Sequence, residues 1–155
     1  MGKYYNHKVY LVDNGEGLCE RFQTRASAQA FCDEHDLNFK DCTEIFDSQK
    51  ELDRWEMLQI LEQRGQISEL QRQVLYVLVP SQYIKVWKTV RKKEVLKDKR
   101  VEAPITYKAD FQYRLPDGKL IVEDVKSEVT RRLPDYVMKR KLMLWIHGIK
   151  LVEIL

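Results

Sequence analysis

Asp110, Asp124 and Lys126 are the residues of this chain whose types and spacing could do chemistry. They lie in Ile105–Ser127, ITYKADFQYRLPDGKLIVEDVKS, where two strand-like runs flank a Leu115-Pro116-Asp117-Gly118-Lys119 turn. Pro pre-sets the first corner, Asp suits the second, and Gly takes the positive φ that closes a three-residue hairpin loop with a bulge. Such a loop pairs Leu115 with Lys119. Counting outward, it sets Asp110 opposite Asp124 and Lys108 opposite Lys126. Strand alternation puts these four polar groups on one face and leaves Ala109, Phe111, Tyr113, Ile121 and Val125 as a core face. Directly opposed residues have Cβ atoms roughly 4.5–5.5 Å apart, close enough for two carboxylates to share one divalent cation. Facing like charges destabilise a hairpin unless something positive stands between them, and a metal ion is the simplest candidate. The plain alternative is a solvated polar face. With 33% of residues charged, acid-x-Lys triplets arise by chance, and a second one, Asp117-Gly118-Lys119, sits in the turn itself.

The elements around this hairpin follow from pattern. Lys8–Val12 and Leu18–Gln23 read as strands joined by the turn Asp13-Asn14-Gly15-Glu16-Gly17. Thr24 can cap a helix reaching about His35, with Ala28, Phe31 and Cys32 as its apolar stripe, and Cys42–Phe46 is a short strand. Residues 1–46 therefore form a small ββαβ addition, and residues 47–155 the main domain. Ser48 opens a helix to about Arg64, stopped by Gly65, with Leu52, Trp55, Leu58 and Leu61 inward. Leu70–Val79 is apolar enough for a buried strand ended by Pro80. Tyr83–Val101 extends as a further strand whose Lys-rich middle is a solvent-exposed excursion. Pro134 suits the first turn of a last helix and Gly148 its stop, with Met138, Leu142, Trp145 and Ile146 as the apolar stripe. Ile149–Leu155 is the final strand. The fold class is α/β (α+β): a mixed sheet flanked by helices, in the order α-β-β-β-α-β with one extra strand in the excursion.

Composition sets ordinary bounds. At 155 residues the chain can bury one proper core. No apolar run approaches the roughly 20 residues of a membrane span, and the stretch MGKYYNHKVY has no signal core, so a cytoplasmic location is expected. Three cysteines, an odd number, fit a reducing compartment. Cys19, Cys32, His35 and Cys42 lack the two close pairs of a structural zinc site. Net charge is only +3, but its distribution is uneven. Residues 85–100 hold eight Lys and Arg against two acids, and residues 131–141 hold five against one. Both runs lie close in sequence to the carboxylates and suit phosphate contact through Lys92, Lys93, Arg131, Arg132, Lys139 and Lys141 as well as they suit a solvated surface.

Ser48 and Glu51 together make a capping box, in which Ser bonds the third helical N–H and Glu reaches back to the cap. A carboxylate spent this way is not free for a second role.

Asp, thirteen residues, then Asp-x-Lys on a hairpin resembles the PD-(D/E)XK nuclease pattern. The chain from Phe46 to Leu155 is similar to a phage and prophage family of small endonuclease-like proteins carried as a domain of unknown function. The shared residues are the Phe46-Asp47-Ser48 opening with Lys50 and Glu51, Gln73 before an apolar strand, Thr106-Tyr107 with Ala109-Asp110-Phe111, and the return from Asp117 through Lys126. The resemblance implies a restriction-endonuclease-like core and Mg²⁺-dependent hydrolysis of DNA phosphodiesters, with Mn²⁺ able to substitute. It implies Asp110, Asp124, the Val125 carbonyl and Glu51 as metal ligands and Lys126 as the catalytic cation. Gln73, Lys108, Lys139 and Lys141 become substrate-orienting candidates. It extends towards phage Holliday-junction resolving enzymes, which points to branched or double-stranded DNA in phage recombination and allows a homodimer. Two rival classes stand beside it: a nucleic-acid-binding module without catalysis, and an interaction protein whose polar hairpin face meets solvent or a partner.

Overall fold

The computed structural model describes residues 7–155; the first six residues, part of the stretch read above for a signal core, lie outside it. The chain divides into two compact units, Met1–Gly65 and Gln66–Leu155.

In the first unit, β1 (Val9–Asp13) pairs antiparallel with β2 (Cys19–Phe22) on one side and β3 (Thr43–Phe46) on the other. The helix α1 (Arg25–Glu34) opens at Thr24, whose side chain accepts the Ser27 N–H. A one-turn helix α2 (Phe39–Cys42), capped by Asn38, occupies the beginning of the expected third strand. The longer helix α3 (Gln49–Gln63) is capped by Ser48 and stopped at Gly65, whose φ is +67°. Leu52 of α3 joins Val9, Leu11 and Phe46 in one apolar cluster with Trp55 against it. That packing is why the division falls after Gly65 rather than after Phe46.

The second unit is a four-stranded mixed sheet in the order β4-β7-β8-β9. These strands are β4 (Ser68–Val79), β7 (Ile105–Arg114), β8 (Leu120–Val125) and β9 (Val152–Ile154). Between β4 and β7 the chain makes a separate two-stranded ribbon, β5 (Gln82–Val90) and β6 (Lys93–Glu102). After β8 come a single 3₁₀ turn, Thr130–Arg132, and α4 (Pro134–His147). β9 then returns parallel to β8. The architecture is mixed α+β. No helix among the described residues is long and apolar enough to cross a membrane.

The hairpin β7–β8 has the expected register. Phe111 faces Glu123 and Arg114 faces Leu120, and the Leu115 N–H donates to the Lys119 carbonyl at 3.0 Å. Gly118 closes the loop at φ +83°, the Asp117 carboxylate accepts the Lys119 N–H, and the Arg114 guanidinium holds the Gly118 carbonyl.

Three other expectations are corrected. β4 is an edge strand with Leu75 and Val77 exposed, so its apolar run is not a strand buried on both faces. The Lys-rich excursion is two strands joined by only Arg91 and Lys92, both in left-handed backbone (φ +49° and +63°). Such two-residue turns favour Asn-Gly, and its absence disguised the hairpin. On α4, Met138, Trp145 and Ile146 are exposed, while Tyr136 and Met143 are buried. Leu142 of the expected stripe does pack against the core, beside Tyr136 and Met143, while the half-buried Arg140 and the exposed His147 make specific bonds. The His147 Nε2 lies 3.0 Å from the Val77 carbonyl, and Arg140 bonds Glu153.

A Cβ placed on Gly118 meets nothing within 4 Å, so a side chain there meets only the backbone penalty of positive φ. Gly118→Ala should cost about 1 kcal/mol in urea unfolding. A change several times larger would mean that the loop tolerates no adjustment and fixes the register by itself.

Candidate active site

The register that brings Asp110 level with Asp124 stops one step short of joining them. Backbone pairing between β7 and β8 is last seen at Phe111 and Glu123. On the other side of β7, pairing with β4 skips Asp110 as well, jumping from Arg72–Phe111 to Val74–Ala109 across Gln73. Gln73 has φ +58°, a strained conformation for a non-glycine residue. The strand turns over at this point. Tyr107 and Ala109 fall in one buried cluster with Val122, although uniform alternation from the Gln112–Val122 pair would set Val122 on the face opposite both.

This turn decides who shares the site. Asp110 accepts the Val125 N–H on Oδ2 at 2.7 Å, so its side chain replaces the missing ladder bond. Asp124, fully buried, takes the Tyr107 hydroxyl on Oδ2 at 2.5 Å. Lys108, expected opposite Lys126, is exposed on the other side of the sheet and pairs across to Leu75. Tyr107 holds the place beside Asp124 that simple alternation assigned to Lys108.

Lys126 stands between the carboxylates. Its Nζ is 2.8 Å from Asp124 Oδ1 and 3.9 Å from Asp110 Oδ2, and it donates to the Val125 carbonyl at 3.3 Å. The approach to Asp124 misses hydrogen-bond geometry, leaving that oxygen buried beside a cation without a hydrogen bond. Three hard oxygens thus converge on one positive charge, and they come from three of the four residues named above as metal ligands, Glu51 being the one left out. The ammonium stands where a cation would be held. Among the described residues no three His, Cys, Asp or Glu side chains form a metal-holding group. Two carboxylates and a carbonyl are oxygen donors of the kind Mg²⁺ takes, and Lys126 occupies the space beside them.

A second layer escaped sequence reasoning. Lys126 Nζ lies 5.5 Å from the Tyr136 ring centroid and the Arg140 guanidinium 5.9 Å from it, so two cations flank one ring. Arg140 and Arg131 both reach Glu153, which pairs with Asp124 across β8–β9. Burial works against the Glu153 charge, but the bond from Arg140 and the nearby Arg140 and Arg131 guanidiniums outweigh it and hold its carboxyl below the usual range. Burial, reinforced by Asp124, pushes the Tyr107 and Tyr136 hydroxyls well up, so both remain protonated, and Tyr107 donates to Asp124. The only sequence signal for this layer was polar residues beside the buried ones of α4.

The remaining expected residues are spread out. Arg132 and Lys141 line one open groove of about 590 Å³, and Lys141 also borders a second, of about 400 Å³, with Arg140 and Glu153. Lys139 is half-buried on α4, and Lys92 and Lys93 are at the tip of the ribbon. Gln73 sits at the distortion beside Asp110. Glu51 belongs to the other unit and closes the cap of α3. Its N–H bonds Ser48 Oγ at 3.2 Å, and its Oε2 accepts the Asp47 N–H at 3.0 Å, one residue beyond the usual partner.

Burial, then the Asp124 charge, raise Asp110 to about 7, with Lys126 opposing. The folded protein therefore holds a proton that the unfolded chain, with Asp near 3.9, releases earlier. Stability from this group is highest below about pH 4 and falls as pH rises to about 7. In EDTA, Asp110→Asn should raise the thermal midpoint at pH 8 and leave it nearly unchanged at pH 4. An equal shift at both would show that the two carboxylates do not repel. Tyr107→Phe strips a donor from buried Asp124 and should cost about 1–3 kcal/mol in chemical unfolding. A cost near zero would mean that water replaces the hydroxyl.

Residues 38–151 match the model of a family described as a protein of unknown function, DUF1064. No curated protein and no solved structure matches the chain. The matched stretch opens at the cap of α2 and runs through β8 and α4 to Leu151, so it contains Asp110, Asp124, Lys126 and the whole ribbon. With well over half of its length matched, the chain belongs to the DUF1064 family.

Proposed function

We propose that this protein is a metal-dependent DNA endonuclease of the PD-(D/E)XK type. Asp110, Asp124 and the Val125 carbonyl would hold the metal, and Lys126 is the cation at the reacting phosphate. One observation carries the reading: three hard oxygens converge around the Lys126 ammonium where the β7–β8 ladder opens. Within the second unit, the order β4, β7, β8, α4, β9, with the ribbon inserted after β4, supports a restriction-endonuclease-like core.

Bound there, Mg²⁺ supplies a Lewis acid for the scissile phosphate, a water of lowered pKa, and charge for the leaving 3′ oxygen. The chain's own groups prepare the place. Tyr107 orients Asp124 by holding Oδ2, which leaves Oδ1 directed at the opening. The Val125 N–H does the same for Asp110. Lys126, displaced from between the carboxylates, brings its charge to the attacking water and to the negative charge that builds on phosphorus. The Tyr136 ring gives the displaced ammonium an apolar, electron-rich wall. Branched DNA is the favoured substrate, on the resemblance to junction-resolving enzymes.

The rival reading, a nucleic-acid-binding module without catalysis, draws on the same ammonium, since Lys126 already neutralises the pair. Cleavage decides between them. Purified protein should cut linear or four-way-junction DNA with Mg²⁺ or Mn²⁺ and not with EDTA. Asp124→Asn should abolish cutting while binding persists, because binding comes from distributed phosphate contacts. Wild-type protein that binds every DNA and cuts none in either metal would establish the rival.

Lys126→Ala separates the two uses of the lysine. Without the ammonium, Mn²⁺ should raise the variant's melting temperature more than the wild type's, since the metal no longer competes with an internal cation. Cleavage should still be lost. A smaller metal shift in the variant would mean that Lys126 supports the ligands instead of occupying their centre. Glu51→Gln keeps the helix cap, so an unaltered melting temperature with a sharp loss of cleavage would bring Glu51 into the reaction, and an unaltered rate would leave it to the cap.

A further inference from the structure

The ribbon β5–β6 has two chemically different faces. Every residue of β6 is exposed, and in β5 only Val86 is partly covered. Regular pairing from Tyr83–Arg100 to Val90–Lys93 lets the faces be read off directly. On one face stand Lys88, Lys93, Lys97 and Lys99, each opposite an aliphatic residue and with no acid among them. On the other face the charges cancel: Lys85 pairs with Asp98 at 2.8 Å, and Arg100 is offset by Glu94, around Trp87 and Leu96.

A run of lysines in a random surface hairpin would distribute over both faces. Here cross-strand placement keeps every lysine of the first face away from direct opposition to another, which limits repulsion without diluting the charge. Lys93 to Lys99 spans about 20 Å along the strand, the length of about six base pairs of duplex. The tip adds Arg91 and Lys92, two cations in left-handed positions that Asn and Gly would occupy more comfortably. The ribbon also leaves the sheet where β4 ends and β7 begins, the same end at which antiparallel β8 finishes in Val125 and Lys126.

We propose that β5–β6 is a nucleic-acid-binding arm that lays its lysine face along the phosphate backbone of a DNA duplex, with the Trp87 face turned away. The proposal rests on the nuclease reading for the identity of the polyanion. The aliphatic residues between the lysines offer no hydrogen-bond donors or acceptors to base edges, so the arm holds duplex without reading its sequence.

The test compares two doubles that remove the same net charge from opposite faces, Lys97→Gln with Lys99→Gln, and Lys85→Gln with Arg100→Gln. Affinity for a labelled duplex is followed by fluorescence anisotropy in EDTA between about 50 and 200 mM salt, and cleavage is read on the same preparations with Mg²⁺. The lysine-face double should lower the slope of log affinity against log salt by about 1.8 and weaken binding at least about tenfold. The other double should stay within about twofold of wild type, and two duplexes of unrelated sequence should respond alike. Equal losses from both doubles, or an unchanged slope in the first, would overturn the arm while leaving wild-type cleavage, and the nuclease reading, in place. Face-specific loss of binding in a protein that cuts nothing would uphold the arm and remove the nuclease.

Discussion

Two carboxylates within reach of one lysine nitrogen, one of them wholly buried, are the constraint on which the second unit depends. Neither Asp110 nor Asp124 would remain there unaided, because burial penalises each charge and each charge penalises the other. The compensation is distributed among three different groups. A backbone N–H at Val125 holds one carboxylate, a phenol at Tyr107 holds the other, and an ammonium at Lys126 faces both. Two of the three come from the strand β8 or its immediate continuation. Where β8 ends therefore determines whether the pair can exist at all.

The same constraint accounts for the broken strand pairing. A continuous β7–β8 ladder would satisfy Val125 N–H with a β7 carbonyl and leave the Asp110 side chain standing out from the sheet. Opening the ladder at Asp110 frees that N–H for the carboxylate, and the turnover of β7 carries Tyr107 to Asp124. The strained backbone of Gln73 lies directly across from the break. Left-handed non-glycine backbone of this kind costs about 1–3 kcal/mol and persists where the surroundings over-determine it. The surroundings here are β4–β7 pairing that keeps one register from Gln71 to Val77 and a half-buried, hydrogen-bonded Asp110 carboxylate beside it.

What the sequence discloses and what it conceals divide along the same line. The hairpin register was legible because local chemistry sets it: Pro116, Asp117 and Gly118 each do in the structure what their types favour in isolation. The caps of α1 and α3 were legible for the same reason. Lys108 was misplaced because uniform alternation carries no information about a strand that turns over, and nothing in the residue Gln73 announces positive φ. On α4, hydropathy selected Met138 and Trp145, whereas the sheet needed Arg140 and His147 for bonds to Glu153 and Val77. Patterns report the average requirement of an element, and the polar second layer of a site is a departure from that average.

The two basic features of the second unit answer to different physics. Lys126 is three-quarters covered, and its charge acts at short range on two carboxylates and one carbonyl. Removing it alters a local balance that salt in the medium screens only weakly. The ribbon lysines are exposed, and mobile ions screen each of them within about 10 Å at 0.1 M salt, so they matter only collectively and against a partner of high linear charge density. In the nuclease proposed above, a substrate polyanion would bridge the two regimes. It would displace counterions along the exposed face and bring a phosphate able to draw Lys126 out of the oxygens it otherwise fills. Because Asp124 Oδ1 makes no hydrogen bond to the ammonium, that exchange breaks an ion pair at Asp124 and gives up one long hydrogen bond, to the Val125 carbonyl. Lys126 is held between the carboxylates by a contact that such a phosphate would be chemically equipped to compete for.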